Sequence, residues 1–409
     1  MTPSLEEFRA EAVAWLQEHA ERRQVGEEPV WGKGSDSVSV FRDSSPEQER
    51  AWIEALREWQ RRKFDAGYGA ISWPVEYGGR ALPQEYADTF ADLEGGFVTP
   101  EPLEVASISL NIEAPVVLTV GTQEQKEKFL RGILRADLLV CQLFSEPGAG
   151  SDLGSIALRA TPDGGSWVLD GQKAWTSGAQ FADYGVVIAR TSTDLPRQQA
   201  MTAFLVPLKA AGVDVRPLRQ MTGGSNFNEV FFDRVRIPDS LRLGEVGEGW
   251  SVAMTTLGFE RASSSRGAFG AFDHSGRLVL LARHLGRHED PAIRRAIVDL
   301  YARNRMRALS AQRAAARLQA GGVPGPEGSI AKLTLTRGLQ QAGDIATELL
   351  GPALVADTGE WGTYAWSELL CGAPGLRLGG GTDEIQKNTI AERALGLPRE
   401  PRVEKKAGS

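Results

Sequence analysis

The chain has few of the residues that build disulfide frameworks or metal centres. Its 409 residues include two cysteines, Cys141 and Cys371, without a CxxC pair, and four scattered histidines. That set is too small for a disulfide-stapled domain or a Cys/His metal cluster. The composition therefore predicts a protein without a metal site in a reducing compartment, and we expect the cytoplasm.

Long apolar runs, a targeting segment and basic clusters are also lacking. The first residues, MTPSLEEFRAEAVAW, are acidic and amphipathic, unlike a signal or transit peptide. No stretch has the roughly 20 apolar residues of a membrane span. The net charge is -7, and arginines alternate with acids, whereas phosphate binding needs clustered Lys and Arg. We expect neither membrane insertion nor a nucleic-acid partner.

The hydrophobic periodicity changes twice along the chain. Helix starts are predicted at Ser4, at Ser45 before Pro46 and at Thr122, where capping residues precede apolar stripes. Residues 138–238 instead show short apolar runs broken by turn residues, which is typical of strands. From there the pattern is helical again.

This partition predicts three domains and a tail, because a 42% hydrophobic chain of this length can bury two or three cores. We expect an N-terminal helical domain at 1–137 and a central β domain at 138–245. A C-terminal helical bundle is expected at 246–399 and a flexible tail at 400–409.

Two segments of the β region combine glycines with hydroxyl side chains. CQLFSEPGAGSDLG, residues 141–154, leads a strand into a glycine-rich loop whose amides can approach an anion. Its glycine spacing is not the dinucleotide fingerprint, so a plain turn is the better interpretation from spacing alone. GQKAWTSGAQFAD, residues 171–183, sets Trp175 beside Thr176 and Ser177, which suits a planar cofactor, although Trp in a strand is more often core.

A carboxylate falls on the apolar face of the helix predicted within residues 247–270. Trp250, Leu257 and Glu260 share that face. Partial burial would raise the pKa of Glu260 toward the range of a general base. The alternative is that Glu260 pairs with Arg261 or another arginine. The small residues that follow leave room for a ligand or for a close helix crossing.

The last segment with a possible chemical role is LGGGTDEIQKNTIAERALGLP, residues 378–398. Its glycine run leads into a helix whose N-terminus could hold an anion or orient a carbonyl. Glycine-rich helix entries occur in many proteins, so none of these segments is decisive alone.

Taken in order, the four segments resemble the signature segments of the acyl-CoA dehydrogenase family. WPVEYGG, residues 73–79, also resembles that family, so the similarity runs from about residue 49 to residue 399. The resemblance implies an α+β multidomain fold with an N-terminal helical domain, a central β-barrel or sandwich domain and a C-terminal four-helix bundle. It also implies tetramers built as dimers of dimers.

The same resemblance implies an FAD site and FAD-dependent α,β-dehydrogenation of an acyl-CoA thioester. Trp175 and Thr176 would lie beside the isoalloxazine ring, and Ser177 near its N5 edge. The residues that match cofactor-binding positions are Ser145, Gly150, Ser151, Trp175, Thr176, Ser177, Glu348, Thr382 and Glu384. Ser151 and Arg261 match positions near the substrate.

The resemblance assigns the base to an unusual position. Many family members carry the catalytic carboxylate just before the Gly-Thr of the last segment, where this chain has Gly380. Other members, notably ones acting on branched or bulky acyl groups, carry it at the position of Glu260. We therefore expect Glu260 to remove the α-proton and the Gly380 amide to polarise the thioester carbonyl. A glycine at position 380 would also widen the acyl pocket.

One segment departs from the family pattern. The family's Arg-x-x-Phe-Gly segment, which reaches the FAD of a neighbouring subunit, corresponds here to Arg283, His284, Leu285 and Gly286. Some bacterial members with atypical segments are heteromers in which only some subunits bind FAD. A homotetramer and a heteromer with a related subunit are both compatible with this sequence.

Three functions remain in competition on the sequence alone. The first is a dehydrogenase that passes electrons to an electron-transferring flavoprotein in fatty acid or lipid degradation. The second is a flavin oxidase or monooxygenase on the same fold, since sequence does not determine oxygen reactivity. The third is a non-catalytic subunit of a heteromeric acyl-CoA dehydrogenase.

Overall fold

The computed structural model describes most of the chain as two compact units. The described residues are 2–23, 38, 40–41, 44–100, 103–265, 272–319, 325–356 and 363–399. The first unit comprises Met1–Glu28 and Arg42–Glu260, and the second comprises Pro29–Phe41 and Arg261–Ser409. The small-residue segment at 266–270 and the predicted tail at 400–409 lie outside the described residues. Within the described ranges, every helix is too short or too polar to cross a membrane.

Helices build the N-terminal part of the first unit. They are α1 (Leu5–His19), α2 (Pro46–Asp65), α3 (Gln84–Glu94), α4 (Glu104–Ile108), α5 (Ala114–Val120) and α6 (Gln123–Leu134). The predicted starts of α1, α2 and α6 are confirmed. At the start of α1, the Ser4 hydroxyl accepts the Glu7 amide at 3.2 Å, and the Glu7 carboxylate accepts the Ser4 amide at 2.8 Å. This exchange satisfies amides that have no partner inside the helix.

A π-helical turn, Ser109–Glu113, connects α4 to α5. The Ser109 hydroxyl accepts the Val140 amide at 2.7 Å and lies 2.7 Å from the Val105 carbonyl oxygen, which can accept its proton. These bonds tie the turn to the first strand of the sheet. Turns of this kind widen a helix by one residue and are frequent at functional sites.

The β region forms one mixed sheet. Its strands are β1 (Val140–Leu143), β2 (Arg159–Asp163), β3 (Ser166–Ser177), β4 (Tyr184–Arg190), β5 (Met201–Pro207), β6 (Val213–Leu218), β7 (Phe227–Pro238) and β8 (Arg242–Leu243). They are ordered β6-β7-β3-β2-β4-β5-β8, and β1 pairs with β4 in parallel. Both faces of β4 and β5 are buried, because their continuous apolar runs leave no polar face for solvent.

The long pair β3 and β7 is antiparallel and interrupted twice. Its register shifts between Leu169 and Gly171 and again between Lys173 and Thr176. The second irregularity places Trp175 at φ 61°, in the left-handed region that side chains other than glycine rarely adopt. An irregularity of this kind redirects a side chain at the end of a strand, which is where the predicted cofactor residues lie.

Helices resume after the sheet. They are α7 (Gly249–Ser265), α8 (Ser275–His284), α9 (Pro291–Gln319), α10 (Glu327–Leu350), α11 (Thr363–Leu378) and α12 (Asp383–Arg393). One stripe of α10 faces the core: Leu335, Leu339, Ala342, Ala346 and Leu349 are all buried. They form the second unit's core with apolar residues of α8, α9 and α11. The observed order of helices, sheet and helices matches the predicted fold class, while the predicted domain boundaries stay predictions.

Candidate active site

The end of β3 presents an aromatic ring and hydroxyl groups together. Trp175 is 62% exposed, and its ring meets Phe227 of β7 edge-on, with centroids 6.1 Å apart. Thr176 is buried, and its hydroxyl has no hydrogen-bond partner among the described residues. A buried hydroxyl without a partner costs free energy unless a ligand or water satisfies it. This strand end therefore has the character of a binding surface.

The glycine-rich loop is fixed to β3 at its first residues. The Ala174 amide donates to the Ser145 carbonyl at 2.9 Å, and Ala149 and Glu146 exchange backbone bonds at 3.0 and 2.9 Å. Ser151 is exposed, and a Cβ added at Gly148 or Gly150 would meet nothing within 4 Å. The loop thus combines an anchored start with an open glycine segment.

A buried ion pair holds this loop against the sheet. The Lys173 ammonium lies 2.7 Å from a Glu146 oxygen and donates to the Phe144 carbonyl at 3.0 Å. Glu146 also accepts the Leu158 amide at 3.1 Å. Burial lowers the pKa of Lys173 to about 8, and the negative charge of Glu146 opposes that effect. Sequence analysis missed this pair; its signal is a lysine at an inward position of a strand.

Glu260 lies on α7 as the sequence predicts, partly buried at the end of the first unit. The helix residues before it pack on the first unit's core through Trp250, Met254, Leu257 and Phe259. The negative charge of Glu260 acts on two other carboxyl groups, Glu104 at the start of α4 and Glu113 in the π-helical turn. Glu104 also hydrogen-bonds Ser177. The charge of Glu260 and the hydroxyl of Ser177 at the end of β3 thus shift the pKa of the same carboxyl group, Glu104, in opposite directions.

Glu104 and Glu113 were not singled out from the sequence. Glu113 interrupts the apolar run NIEAPVVL, and a lone carboxylate in such a run is the signal that could have identified it. Glu104 has no such signal, because its contact with Ser177 depends on the packing of α4 against the sheet.

The glycine run in the second unit is strongly hydrogen-bonded. Gly380 and Gly381 have φ values of 63° and 83°, which favour glycine. Lys332 donates to the carbonyls of Gly379 and Gly381, and the Gln386 amide group donates to the Gly380 carbonyl at 2.9 Å. The backbone geometry before α12 is thus held by side chains of α10 and α12.

Thr382 and Glu384 flank the start of α12 in different ways. The Thr382 hydroxyl caps the helix by accepting the Ile385 amide at 3.2 Å, which leaves its proton available to a ligand. Glu384 is exposed, and its carboxylate lies 3.5 Å from the Lys387 ammonium. Both remain accessible from solvent in the second unit.

Glu348 and the segment after Arg283 meet at the C-terminus of α10. The Arg287 guanidinium donates to the Glu348 carbonyl at 2.9 Å and lies 3.7 Å from its carboxylate. Arg283 and Arg261 are both exposed. Arg287, rather than Arg283, therefore neutralises the carbonyl end of this helix.

Comparison with known proteins places three family models on this chain. The acyl-CoA dehydrogenase N-terminal domain matches residues 39–137, the middle domain 141–235 and the C-terminal domain 247–395. These ranges follow the observed order of the elements, which is helices, then sheet, then helices.

Individual proteins resemble the chain along its whole length. The acyl-CoA dehydrogenase IpdE1 of Mycobacterium tuberculosis is 35% identical over 97% of this chain and 98% of its own. The solved Tcur3481-Tcur3483 steroid ACAD has a TM-score of 0.74 at 28% identity, covering 98% of this chain and 99% of that one. The ChsE4-ChsE5 complex from Mycobacterium tuberculosis has a TM-score of 0.72 at 26% identity, covering 98% and 99%. The chain belongs to the acyl-CoA dehydrogenase family of oxidoreductases.

Proposed function

We propose that this chain catalyses FAD-dependent α,β-dehydrogenation of an acyl-CoA thioester to the 2-enoyl-CoA, with Glu260 as the base. The observation that supports the proposal is that Glu104 hydrogen-bonds Ser177 at the end of β3 and that its pKa is raised by the charge of Glu260. We therefore propose that this carboxylate and the predicted flavin-side residues act in one site. Proton removal at one carbon and hydride loss at the next need this juxtaposition.

The residues at the end of β3 fit a flavin. Members of the family are flavoproteins. The unpartnered buried hydroxyl of Thr176 offers a hydrogen bond, and the exposed ring of Trp175 offers a flat apolar face. Ser145, Gly150, Ser151 and Ser177 would complete this side. The resemblance to the family also assigns cofactor contacts to Glu348, Thr382 and Glu384. When bound, FAD supplies the hydride acceptor for the β carbon.

The chain's own residues handle the proton and the carbonyl. The bond between the α carbon and its proton breaks, and the proton goes to the Glu260 carboxylate. Its electron pair forms the new double bond as the β carbon loses hydride. The Gly380 amide would donate to the thioester carbonyl and so acidify the α-proton. Arg261 and Ser151 would support the substrate.

A bulky acyl group is the substrate class we propose, such as a steroid-derived one. Two points support it: the printed name of a similar structure, a steroid ACAD, and the glycine at position 380. A glycine there removes a side chain that would occupy the pocket. We propose further that electrons pass to an electron-transferring flavoprotein, and that the chain assembles as a homotetramer or with a related second subunit. The two-component names of the similar structures support a heteromer.

The Glu260→Gln variant tests the base. We expect it to keep bound flavin but to lose reduction by a steroid side-chain thioester by about 10²–10⁴-fold, because an amide cannot accept the α-proton. The measurement is anaerobic flavin bleaching over a panel of straight, branched and steroid side-chain thioesters. Glu124→Gln, an exposed change in the first turn of α6, is the matched control and should bleach normally.

Several outcomes would contradict the proposal. Near-normal bleaching by Glu260→Gln removes the base assignment. A colourless protein that gains flavin only with a related subunit favours the non-catalytic role. Rapid oxygen consumption after reduction favours an oxidase over transfer to an electron-transferring flavoprotein.

A further inference from the structure

The carbonyl groups of the glycine run between α11 and α12 all accept hydrogen bonds from side chains. Lys332 of α10 donates to the carbonyl oxygens of Gly379 and Gly381. The Gln386 side chain of α12 donates to the carbonyl oxygens of Gly380 and Gly381, at 2.9 and 3.2 Å. Among the described residues, the Gly379 carbonyl therefore has Lys332 as its side-chain donor, whereas the other two carbonyls are also held by Gln386.

The amide groups of the same segment have fewer partners. The Gly379 N–H donates to the Gly375 carbonyl at 2.9 Å, which continues the pattern of α11. The Gly380 N–H has no acceptor among the described residues, and Gly380 is exposed. This N–H is the group that the proposed function directs at the thioester carbonyl.

The Gly379 carbonyl and the Gly380 N–H belong to one peptide unit. A trans peptide is planar, so its C=O and its N–H point in opposite directions. A hydrogen bond accepted by the carbonyl polarises the unit and makes its N–H a stronger donor, because linked hydrogen bonds reinforce each other. A charged donor polarises the carbonyl more than a neutral donor does. Lys332 thus binds one end of the peptide whose other end is left without a partner.

We propose that Lys332 is a positioning residue of the thioester site, which orients the Gly379–Gly380 peptide and strengthens the Gly380 N–H as a donor. The proposal rests on the proposed function, in which this N–H polarises the thioester carbonyl. As the α-proton leaves, negative charge moves toward the thioester oxygen, and a stronger donor stabilises that charge better. Lys332 acts through the backbone and not by contact with the substrate.

A purely structural role for Lys332 would be to cap α11. A cation at the end of a helix satisfies carbonyl groups that lack partners inside the helix. The start of α12 has anchors of its own, however, because the Asp383 carboxylate accepts hydrogen bonds from Thr336 at 2.9 Å and from Arg377 at 2.8 Å. Replacing Lys332 should therefore remove the donor to Gly379 while the start of α12 stays anchored.

The test is infrared spectroscopy of a bound thioester carbonyl in the oxidised holoenzyme. The probe is the 2-enoyl-CoA product of the best thioester of the panel, isotopically labelled at the thioester carbonyl carbon. A carbonyl that accepts a stronger hydrogen bond vibrates at lower frequency. We expect the wild type to lower the frequency of the labelled band relative to the probe in water. Lys332→Met should reverse part of this shift, and Lys332→Arg, which keeps a charged donor, should preserve most of it.

Reduction kinetics give a second readout. Lys332→Met should slow anaerobic flavin reduction by about 2–8-fold, which is the effect of weakening by roughly 10–30% a donor worth about 10²–10³-fold. The half-saturating thioester concentration should change less, because the donor acts mainly on charge that develops in the transition state. Lys209→Met, at a lysine that is 86% exposed, should match the wild type in both readouts.

The outcomes separate this inference from the proposed function. If the wild type and Lys332→Met shift the carbonyl band equally, Lys332 is only a helix cap and its proposed role is overturned. If the shift depends on Lys332 while Glu260→Gln retains reduction, the role of Lys332 stands and only the base assignment falls. If the wild type leaves the band unshifted, the proposed role of Gly380 fails together with that of Lys332.

Lys332→Gln keeps the test decisive if Lys332→Met does not fold. Its neutral amide can still donate to a carbonyl, so we expect a band between those of the wild type and the free probe. A band identical to that of the wild type would overturn the role of the Lys332 charge.

Discussion

At the scale of single residues, the ion pair of Lys173 and Glu146 decides whether the glycine-rich loop keeps its place. Both side chains are almost entirely removed from water, so each charge depends on the other for compensation. The pair also hydrogen-bonds the backbone: Lys173 donates to the Phe144 carbonyl, and Glu146 accepts the Leu158 amide. The position of the loop therefore depends on charge compensation within this pair.

Lys173→Met should lower the free energy of unfolding by about 3–5 kcal/mol, because it leaves the Glu146 carboxylate buried without a cation. Urea denaturation followed by circular dichroism measures this. Adding Glu146→Gln should recover part of the loss, since the amide is neutral and still accepts a backbone N–H.

Lys209→Met provides the control for this prediction. Lys209 is 86% exposed and lies 3.6 Å from Asp183, so its loss should change the unfolding free energy by less than about 0.5 kcal/mol. Equal effects of the two lysine variants would show that the buried pair is not what anchors the loop.

At the scale of elements, the sequence predicted the features that interactions between nearby residues determine. Helix starts at Ser4, Ser45 and Thr122 follow from capping groups only three residues apart. Strands such as β4 and β7 follow from apolar runs between turn residues. Neither the π-helical turn nor the irregularity at Trp175 has a local signature, because both are imposed by packing against neighbouring strands.

In the candidate site, too, the sequence predicted the features with a local signal and missed those set by long-range packing. The sequence placed Glu260 on a helix and Trp175 in a strand, and the structure agrees on both elements. The approach of Glu104 to Ser177 joins segments far apart in the chain, so no periodicity could reveal it. The roles of Glu260, Gly380 and the cofactor residues stay predictions.

The helix pair α8 and α11 carries a pH-sensitive contact. His274 occupies the residue before α8 and is 6% exposed, and its ring meets Trp366 of α11 edge-on at 6.0 Å. Its Nε2 has no hydrogen-bond partner among the described residues. Burial lowers the pKa of His274 to about 4, and the nearby Arg277 acts in the same direction. Protonation of this ring therefore opposes the packed state.

Stability should fall as the solution is acidified from pH 6.5 to pH 4. Between these pH values His274 is protonated in the unfolded chain but neutral in the folded chain, so acid favours unfolding. The free energy of unfolding falls by about 3 kcal/mol for the whole shift of the His274 pKa. His274→Leu should remove this component from urea unfolding curves recorded across the window. His288→Gln, at an exposed histidine, should retain it, and an unchanged pH dependence in His274→Leu would refute the assignment.

At the scale of the whole molecule, α9 presents an apolar face that the described residues leave exposed. Val298, Tyr301, Met306 and Leu309 are each at least half exposed and fall on one side of the helix. A face of this kind on a long helix is typical of a subunit contact. We expect it to be buried in the assembly that the chain forms, alone or with a related subunit.

Replacing Met306 and Leu309 together by Glu should reduce the molar mass of that assembly in light scattering, because charges would have to be buried at the contact. Leu195→Glu, in an exposed loop of the first unit, is the control and should leave the mass unchanged. An unaltered mass in the double variant would locate the subunit contact elsewhere.

The bonds of Ser109 have a consequence for the position of two acidic residues. The Ser109 hydroxyl joins α4 and the π-helical turn, which carry Glu104 and Glu113, to β1. These segments cannot move along β1 without breaking the hydrogen bonds of Ser109. Glu104, which hydrogen-bonds Ser177, and Glu113 are thereby held in register with the strands. A shift of either carboxyl group would then require β1 to move with it.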